Sequence, residues 1–252
     1  MYRLLLTGAL VAASPLASDP APALDIDTDR ITVSGISAGG QMAHQLHIAY
    51  SDLFSGAGII AGGPFGCADG SLATAMARCM SKADGALPVT ELAAGIRTAA
   101  AEGLIADTAA LADDPVWLFH GSLDTIVATE VSDALEDLYA GFIPQAQIRY
   151  VNDFEAAHHF PTRGQGHPCT ASQPPFLGDC DYDAAGEILQ HLYSDLKAPG
   201  SEPEAALTTV PLPGATEAGL SDTAYLYVPP ACAGGEQACA FHLVLHGCAQ
   251  ST

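Results

Sequence analysis

Short apolar segments alternate with longer segments of helical periodicity along most of this chain. The apolar segments are rich in β-branched and aromatic residues and include ITVSGIS, FSGAGIIAGG, PVWLFHG and AQIRYV. Alternating strands and helices predict a mostly parallel sheet, because parallel neighbours need a crossover connection that a helix supplies. Parallel sheets are buried on both faces. We therefore predict an α/β fold with helices on both faces of the sheet.

The composition limits the classes of partner. The chain has 252 residues, of which 49% are hydrophobic and 15% are charged, and this balance is typical of one globular domain with a sizeable core. The formal net charge is −21, from 29 acidic and 8 basic residues. Nucleic-acid affinity depends largely on clustered lysine and arginine, so we expect no nucleic-acid partner. Nothing in the sequence indicates an oligomeric state.

The first 23 residues have the layout of a signal peptide. Arg3 precedes an apolar run over residues 4–13, and small residues and prolines follow it. The run is too short to span a bilayer, so we predict export without a membrane span. The expected mature chain, residues 24–252, would then be extracellular or periplasmic, with a cleavage site between Ser14 and Ala23.

Seven cysteines fit an exported protein, in which disulfides form and persist. Proximity along the chain suggests three local disulfides, although connectivity cannot be deduced from sequence. The suggested pairs are Cys67 with Cys79, Cys169 with Cys180, and Cys232 with Cys239. Cys248 is left without a partner.

A zinc site is the alternative use of some of these cysteines. Cys169 could bind zinc with His167 and the adjacent histidines His158 and His159. Zinc sites commonly carry C-x-x-C or H-E-x-x-H spacing, and neither pattern occurs in this sequence. We expect no metal and no cofactor.

One serine lies in a glycine-rich junction between a predicted strand and a predicted helix. The segment GISAG places Ser37 directly after the strand ITVSGI and before the helical segment AGGQMAHQLHIAY. A sharp turn of this type exposes the hydroxyl of a nucleophilic serine, and the helix N-terminus adds N–H groups and partial positive charge. A G-x-S-x-G match alone is weak in a chain with 25 glycines, and an ordinary small-residue turn is the alternative.

A serine nucleophile needs a histidine base and a carboxylate that orients the histidine. Asp124 follows the apolar strand in LFHGSLD, where a loop carboxylate reaches the same edge of a parallel sheet. His158 and His159 follow the next strand. The chain order Ser, Asp, His is that of the α/β-hydrolases. Taken singly, Asp124 could be a turn residue and either histidine could serve packing alone.

With these residues in view, the chain resembles the secreted polyhydroxybutyrate depolymerases of the circularly permuted, single-domain type. The resemblance rests on SGISAGGQMAHQ, HGSLDTIV, HHFPT and the C-terminal FHLVLHGCAQS, and it covers nearly all of the chain after the leader. It implies an α/β-hydrolase fold with Ser37 as nucleophile, Asp124 as orienting carboxylate and His158 as base. His159 occupies the variable position of the histidine motif and would be a spectator.

The resemblance also assigns a role to the C-terminal strand. In ordinary α/β-hydrolases a strand ending in His-Gly precedes the nucleophile, and the following loop donates an N–H group to the oxyanion hole. Here FHLVLHGC comes last, within residues 215–252. If it lies beside the Ser37 strand, the N–H groups of Ala38 and Cys248 form the oxyanion hole. No substrate-binding residue is predicted.

The sequence departs from the family pattern at its C-terminal end. Relatives continue past the HGC-x-Q motif, whereas this chain stops at Thr252. We therefore expect the catalytic domain, residues 24–252, to be incomplete at that end, with a missing partner for Cys248. Residues 197–214, rich in proline and alanine, are predicted to be a linker to the permuted segment.

The expected function is hydrolysis of a neutral polyester, poly(3-hydroxybutyrate), through an acyl-enzyme on Ser37. Two alternatives stay open. Feruloyl and acetyl-xylan esterases of the same superfamily share the chemistry but act on other small esters. A catalytically inactive surface or binding protein would share only the fold, since fold does not determine function.

Overall fold

The computed structural model describes residues 24–81, 85–197 and 207–250. The predicted signal peptide, residues 1–23, lies outside the described residues, and so does half of the predicted linker, residues 198–206. The described residues form two compact units. The larger contains residues 26–81, 85–197 and 239–250, and the smaller contains residues 24–25 and 207–238.

Ten strands and five α-helices lie within the described ranges. The strands are β1 Ile26–Ile36, β2 Ala57–Ile60, β3 Val116–Phe119, β4 Ile148–Val151, β5 Phe160–Thr162, β6 His167–Pro168, β7 Leu177–Asp179, β8 Thr208–Pro211, β9 Thr223–Leu226 and β10 Cys239–Leu245. The helices are α1 Ala38–Ala49, α2 Leu72–Arg78, α3 Val89–Ala101, α4 Thr129–Ala140 and α5 Ala184–Leu192.

The larger unit is built on a five-stranded parallel sheet in the order β10-β1-β2-β3-β4. This arrangement confirms the predicted parallel sheet. The last strand, β10, pairs directly with β1, with Leu243 opposite Val33 and Leu245 opposite Gly35. All five carboxyl ends therefore meet at one edge, where Ser37 follows β1. The C-terminal strand lies beside the serine strand, as the resemblance implied.

The two faces of the sheet carry separate hydrophobic cores, because successive side chains of a strand point to opposite faces. In β3, Val116 and Leu118 belong to one core and Trp117 and Phe119 to the other. Helices α1, α3 and α4 contribute buried residues to the first core, and α5 contributes to the second. The prediction of helices on both faces is confirmed. None of the helices in the described ranges has the length and apolar character needed to cross a lipid bilayer.

Two smaller sheets lie outside the main one. Strands β5, β7 and β6 form a parallel three-stranded sheet within the larger unit. The smaller unit contains the antiparallel pair β8 and β9. Strand β8 falls inside residues 197–214, so the linker prediction is wrong for Thr208–Pro211, where β-branched residues pair with β9 instead of forming an extended connection.

The cysteines pair locally. Disulfides join Cys67 to Cys79 and Cys169 to Cys180, which confirms two of the suggested pairs. Cys232 and Cys239 are each disulfide-bonded as well. Cys248 is exposed and has a free thiol.

Two helical glycines provide a matched test of the contact between α1 and β10. A Cβ at Gly39 in α1 would overlap the backbone carbonyl of Leu245, whereas a Cβ at Gly95 in α3 would meet no atom within 4 Å. We expect Gly39→Ala to lower the free energy of unfolding by several kcal/mol, since two backbone segments must separate. Gly95→Ala should raise it by roughly 0.5–1 kcal/mol, because alanine has the higher helix propensity. Urea denaturation measures both, and equal effects would contradict the packing described.

Candidate active site

Ser37 sits in a strained turn between β1 and α1. Its backbone dihedrals are φ 56° and ψ −121°, a region that non-glycine residues rarely occupy. Two hydrogen bonds hold the turn: the Ser37 N–H donates to the carbonyl of Ile60 at 2.9 Å, and the Ser37 carbonyl accepts from the N–H of Gln41 at 2.8 Å. Strain of this type persists where the surrounding structure fixes it and is common at functional sites. The turn has the strand-to-helix form of a nucleophile elbow.

Glycines allow the elements around this turn to approach closely. A Cβ at Gly35 would overlap the carbonyl group of Gly39, so only glycine lets β1 and α1 meet at this angle. Ala38 is the first residue of α1, and the first N–H groups of a helix have no acceptor within it. The Ala38 N–H is therefore suited to bind an anion beside Ser37.

The loops that follow β3 and β4 pack against each other. A Cβ at Gly121 would overlap the carbonyl oxygen of Ala156. The N–H of Ser122 donates to the carbonyl of Phe154 at 2.9 Å, and the N–H of Leu123 donates to the carbonyl of Ala156 at 3.0 Å. These contacts bring the segment before Asp124 to the segment before His158.

Asp124 and His158 are in contact. The distance from Asp124 Oδ2 to His158 Nδ1 is 2.7 Å, and the two side chains are 1% and 6% exposed. The other oxygen, Oδ1, accepts from the N–H groups of Ile126 at 2.8 Å and Val127 at 2.9 Å. The carboxylate is thereby fixed in orientation and holds Nδ1 of the imidazole, which leaves Nε2 as the atom that can act as a base.

The environment keeps Asp124 ionised. Burial alone would raise the pKa of Asp124, but the hydrogen bond and charge of His158, together with the N–H groups of Val127 and Ile126, bring that pKa below its ordinary value. A carboxylate that is charged and buried stabilises an imidazolium beside it. Asp124 is therefore the charged partner of the His158 ring.

His159 faces away from this pair. Its Nε2 contacts the carbonyl oxygen of Cys169 at 2.6 Å, and a Cβ at Gly178 would overlap its ring. The ring thus packs into the small sheet formed by β5, β7 and β6. Of the two adjacent histidines, only His158 contacts Asp124.

Ser37 follows β1 and His158 lies on the loop that follows β4, so both residues lie at the edge where the parallel strands have their carboxyl ends. Within the described ranges no hydrogen bond joins the Ser37 hydroxyl to the His158 ring. Catalytic hydrogen bonds are often long without substrate and tighten when it binds. The loop before β7 also holds His158: Ser172 Oγ accepts from its N–H at 2.9 Å, and the ring of Phe176 packs edge-on at 6.2 Å between centroids.

The turn after β10 lies against the serine. A methyl group at Gly247 would lie 3.2 Å from Ser37 Cβ. Cys248 follows in the turn and is exposed. The structure thus brings Gly247, the residue before Cys248, next to Ser37. The side chain of Gln250 accepts from the N–H of Gly247 at 2.6 Å.

A polar network fixes β10 against β1. The His242 ring contacts Thr32 Oγ1 at 2.7 Å and Ser34 Oγ at 2.8 Å through its two nitrogens. The hydroxyl of Tyr193 contacts Thr32 Oγ1 at 2.5 Å and donates to the carbonyl of Phe241 at 3.1 Å. Burial lowers the pKa of His242 to about 4, so the ring is neutral at neutral pH. The network therefore stabilises the register of the strand that carries the turn.

A group of possible metal ligands consists of His159, Cys169 and Cys180. The two cysteines form a disulfide, so they present no thiolate, which is the form that binds zinc. The alternative zinc site with Cys169 as a ligand is therefore wrong for this oxidised state.

Comparisons with known proteins agree with this architecture. Residues 12–154, more than half of the chain, match the family described as Esterase PHB depolymerase. A polyhydroxybutyrate depolymerase of Talaromyces funiculosus is 35% identical over 247 residues, which cover 96% of this chain and 71% of that protein. The chain belongs to the PHB depolymerase esterase family.

Solved structures of this family share the fold. The crystal structure of a PHB depolymerase from Penicillium funiculosum has a TM-score of 0.83 and 34% identity, covering 92% of this chain and 73% of that one. A PHB depolymerase variant complexed with an R3HB trimer gives the same values. The fold of this family member is that of an α/β-hydrolase.

The chain spans about half the length of another relative. A poly(3-hydroxybutyrate) depolymerase of Delftia acidovorans is 43% identical over 241 residues, which cover 91% of this chain and 47% of that protein.

Sequence reasoning missed several residues that hold the site together. Each of these residues makes a polar or aromatic contact with a different segment of the chain. The residues are Ser172, Phe176, His242 and Gln250. No local pattern marks such residues, although the HGC-x-Q motif contains Gln250. Their roles depend on which loops the sheet brings together.

The network at His242 predicts a pH dependence of stability. A folded-state pKa of about 4 lies below the ordinary value of 6.5, so between these values the unfolded chain binds more protons. The contribution of His242 is therefore present above about pH 6.5 and is lost as the pH falls towards 4. We expect the free energy of unfolding to fall less steeply over this range in His242→Asn than in the wild type. Parallel slopes in denaturant titrations would contradict the assignment.

Proposed function

We propose that this protein is a secreted serine hydrolase that cleaves the ester bonds of poly(3-hydroxybutyrate). The observation that carries the proposal is the buried 2.7 Å contact between Asp124 and His158 at the sheet edge where Ser37 is held with φ 56°. In this proposal residues 24–252 form the catalytic domain, and residues 215–252 carry the strand that supplies half of the oxyanion hole.

Acylation begins with attack of Ser37 Oγ on the ester carbonyl carbon. His158 Nε2 takes the hydroxyl proton, and Asp124 stabilises the imidazolium that results. The carbonyl oxygen becomes an oxyanion and accepts hydrogen bonds from the N–H groups of Ala38 and Cys248. Each such donor typically contributes about 3 kcal/mol to the stabilisation of the transition state.

Collapse of the tetrahedral intermediate expels the alcohol part of the substrate. The imidazolium of His158 protonates the departing alkoxide, which leaves an acyl group on Ser37. Water then attacks the acyl carbonyl as His158 removes its proton, and Ser37 is regenerated. The cycle uses only side chains and backbone N–H groups, and it consumes one water molecule per ester bond.

The polyester assignment is supported by the relatives, which are named as depolymerases of poly(3-hydroxybutyrate), and by the neighbour complexed with an R3HB trimer. Export is supported by the disulfides, which persist in oxidising compartments. Incubation of the protein with suspended polymer granules tests the assignment. Clearing of turbidity with release of soluble hydroxybutyrate supports it, whereas hydrolysis of feruloyl or acetyl-xylan esters without clearing would overturn it.

The nucleophile is tested by Ser37→Ala. We expect ester hydrolysis to fall by a factor on the order of 10⁴ to 10⁶, since loss of a triad member removes the chemistry. A fluorophosphonate probe should label the wild type and fail to label the variant. Ser221→Ala, an exposed serine in the smaller unit, should retain both activity and labelling. Wild-type rates in Ser37→Ala would transfer the role to another residue.

The adjacent histidines allow the base to be tested separately. His158→Ala should reduce kcat as severely as Ser37→Ala, because it removes the only one of the two rings that contacts Asp124. His159→Ala should retain most of kcat per folded molecule and lose thermal stability, because its ring is buried against Gly178. The measurements are kcat on a short 4-nitrophenyl ester and the Tm of each variant. The reverse ranking of kcat would assign the base to His159.

A further inference from the structure

The side chain of Gln250 joins two loops that are far apart in sequence. Its Oε1 accepts from the Gly247 N–H at 2.6 Å, and its Nε2 donates to the carbonyls of Pro175 at 2.9 Å and Phe176 at 3.2 Å. One amide thus uses its acceptor on the turn after β10 and its donor on the loop before β7. Only a side chain with both functions at this length can make all three contacts.

The first of these loops is the proposed oxyanion turn. Gly247 packs against Ser37 Cβ and directly precedes Cys248, whose N–H is the proposed second donor. The turn lies just beyond the end of β10, where ladder hydrogen bonds no longer fix the backbone. The hydrogen bond to Gln250 is therefore a specific restraint on the direction of the Cys248 N–H.

The second loop packs on the proposed base. Phe176 has φ 56°, a strained value for an aromatic residue, and its ring lies edge-on to His158. Its carbonyl accepts from the Phe160 N–H at 2.8 Å as well as from Gln250, and its own N–H donates to the carbonyl of Gln173 at 2.7 Å. The conformation of Phe176 is thus fixed by hydrogen bonds on both sides, one of which comes from Gln250.

We propose that Gln250 is a positioning residue that holds the oxyanion turn and the loop packed on His158 in one geometry around Ser37. The proposal rests on the proposed function, since it assigns the two loops to the same tetrahedral intermediate. In this role Gln250 acts through Gly247, Pro175 and Phe176, which its amide contacts. It aligns the Cys248 N–H with the carbonyl oxygen while the Phe176 ring restrains His158, and the geometry of both matters for the rate.

Two substitutions separate the contacts of Gln250. Gln250→Met keeps the length of the side chain and removes both the acceptor and the donor. Gln250→Glu keeps an acceptor for the Gly247 N–H and places an oxygen opposite the carbonyls of Pro175 and Phe176. The matched control is Gln145→Met, which changes an exposed glutamine just before β4. Strand β4 is the outermost strand on the side of the sheet away from β10.

The kinetic test uses a 4-nitrophenyl ester and a trifluoromethyl ketone, which forms a tetrahedral adduct with a serine. Loss of one oxyanion donor lowers kcat by a factor of roughly 10²–10³. Misalignment of the Cys248 N–H alone, without its loss, should therefore lower kcat of Gln250→Met by about 10- to 100-fold. We expect KM to stay within about threefold and the inhibition constant of the ketone to rise by the same factor as kcat falls. A smaller fraction of folded protein would lower the apparent kcat but would leave the inhibition constant unchanged.

Hydrogen exchange gives a readout that does not depend on activity. In Gln250→Met the N–H groups of Gly247 and Phe176 should both exchange faster than in the wild type. In Gln250→Glu the Gly247 N–H should stay protected while the Phe176 N–H exchanges faster. Gln145→Met should leave both amides, kcat and the inhibition constant unchanged.

The proposal is overturned if kcat of folded Gln250→Met stays within about twofold of the wild type, or if kcat falls without a parallel rise in the inhibition constant. If the wild type hydrolyses no ester, the proposed function is wrong, and exchange then decides the role of Gln250 alone. Unchanged protection of both amides in Gln250→Met would show that it does not tie the two loops together.

Discussion

The site depends on the close packing of three backbone segments, which are the end of β1, the start of α1 and the end of β10. Gly35 and Gly39 allow this contact, since a Cβ at either would overlap a backbone carbonyl. Ser37 adopts its strained conformation at this contact, and Ala38 begins α1 directly after it. The hydroxyl, the helix terminus and the turn after β10 thus occupy one small region because the backbones approach so closely.

Parallel pairing then brings the remaining groups to the same edge. Strands β3 and β4 end where β1 ends, so their loops carry Asp124 and His158 towards Ser37. Polar contacts between loops refine this placement. The buried carboxylate of Asp124 holds one ring nitrogen of His158, and Ser172 holds its backbone. Burial of the Asp124 carboxylate costs desolvation free energy. The hydrogen bond to His158 and the two backbone N–H donors at Asp124 offset that cost.

Local sequence patterns were sufficient to predict much of the architecture. The β-branched run before GISAG, the helical spacing after it and the alternation of strands with helices predicted the elements and the sheet edge at which the strands end. Ser37, Asp124 and the adjacent pair His158 and His159 each follow a predicted strand, and the family resemblance gave the role of base to His158. Prediction failed at residues 208–211, where a proline- and alanine-rich context masked a strand whose partner lies beyond a turn.

The sequence by itself determined the order of the elements, because hydrophobic periodicity and glycine placement act over a few residues. Only the tertiary structure decided which of two adjacent histidines contacts Asp124, that His159 packs on Gly178, and that Gln250 lies beside Pro175 and Phe176. Those facts depend on the relative positions of loops separated by tens of residues. Such positions are set by strand register and by packing of the whole sheet, to which all of its strands and helices contribute together.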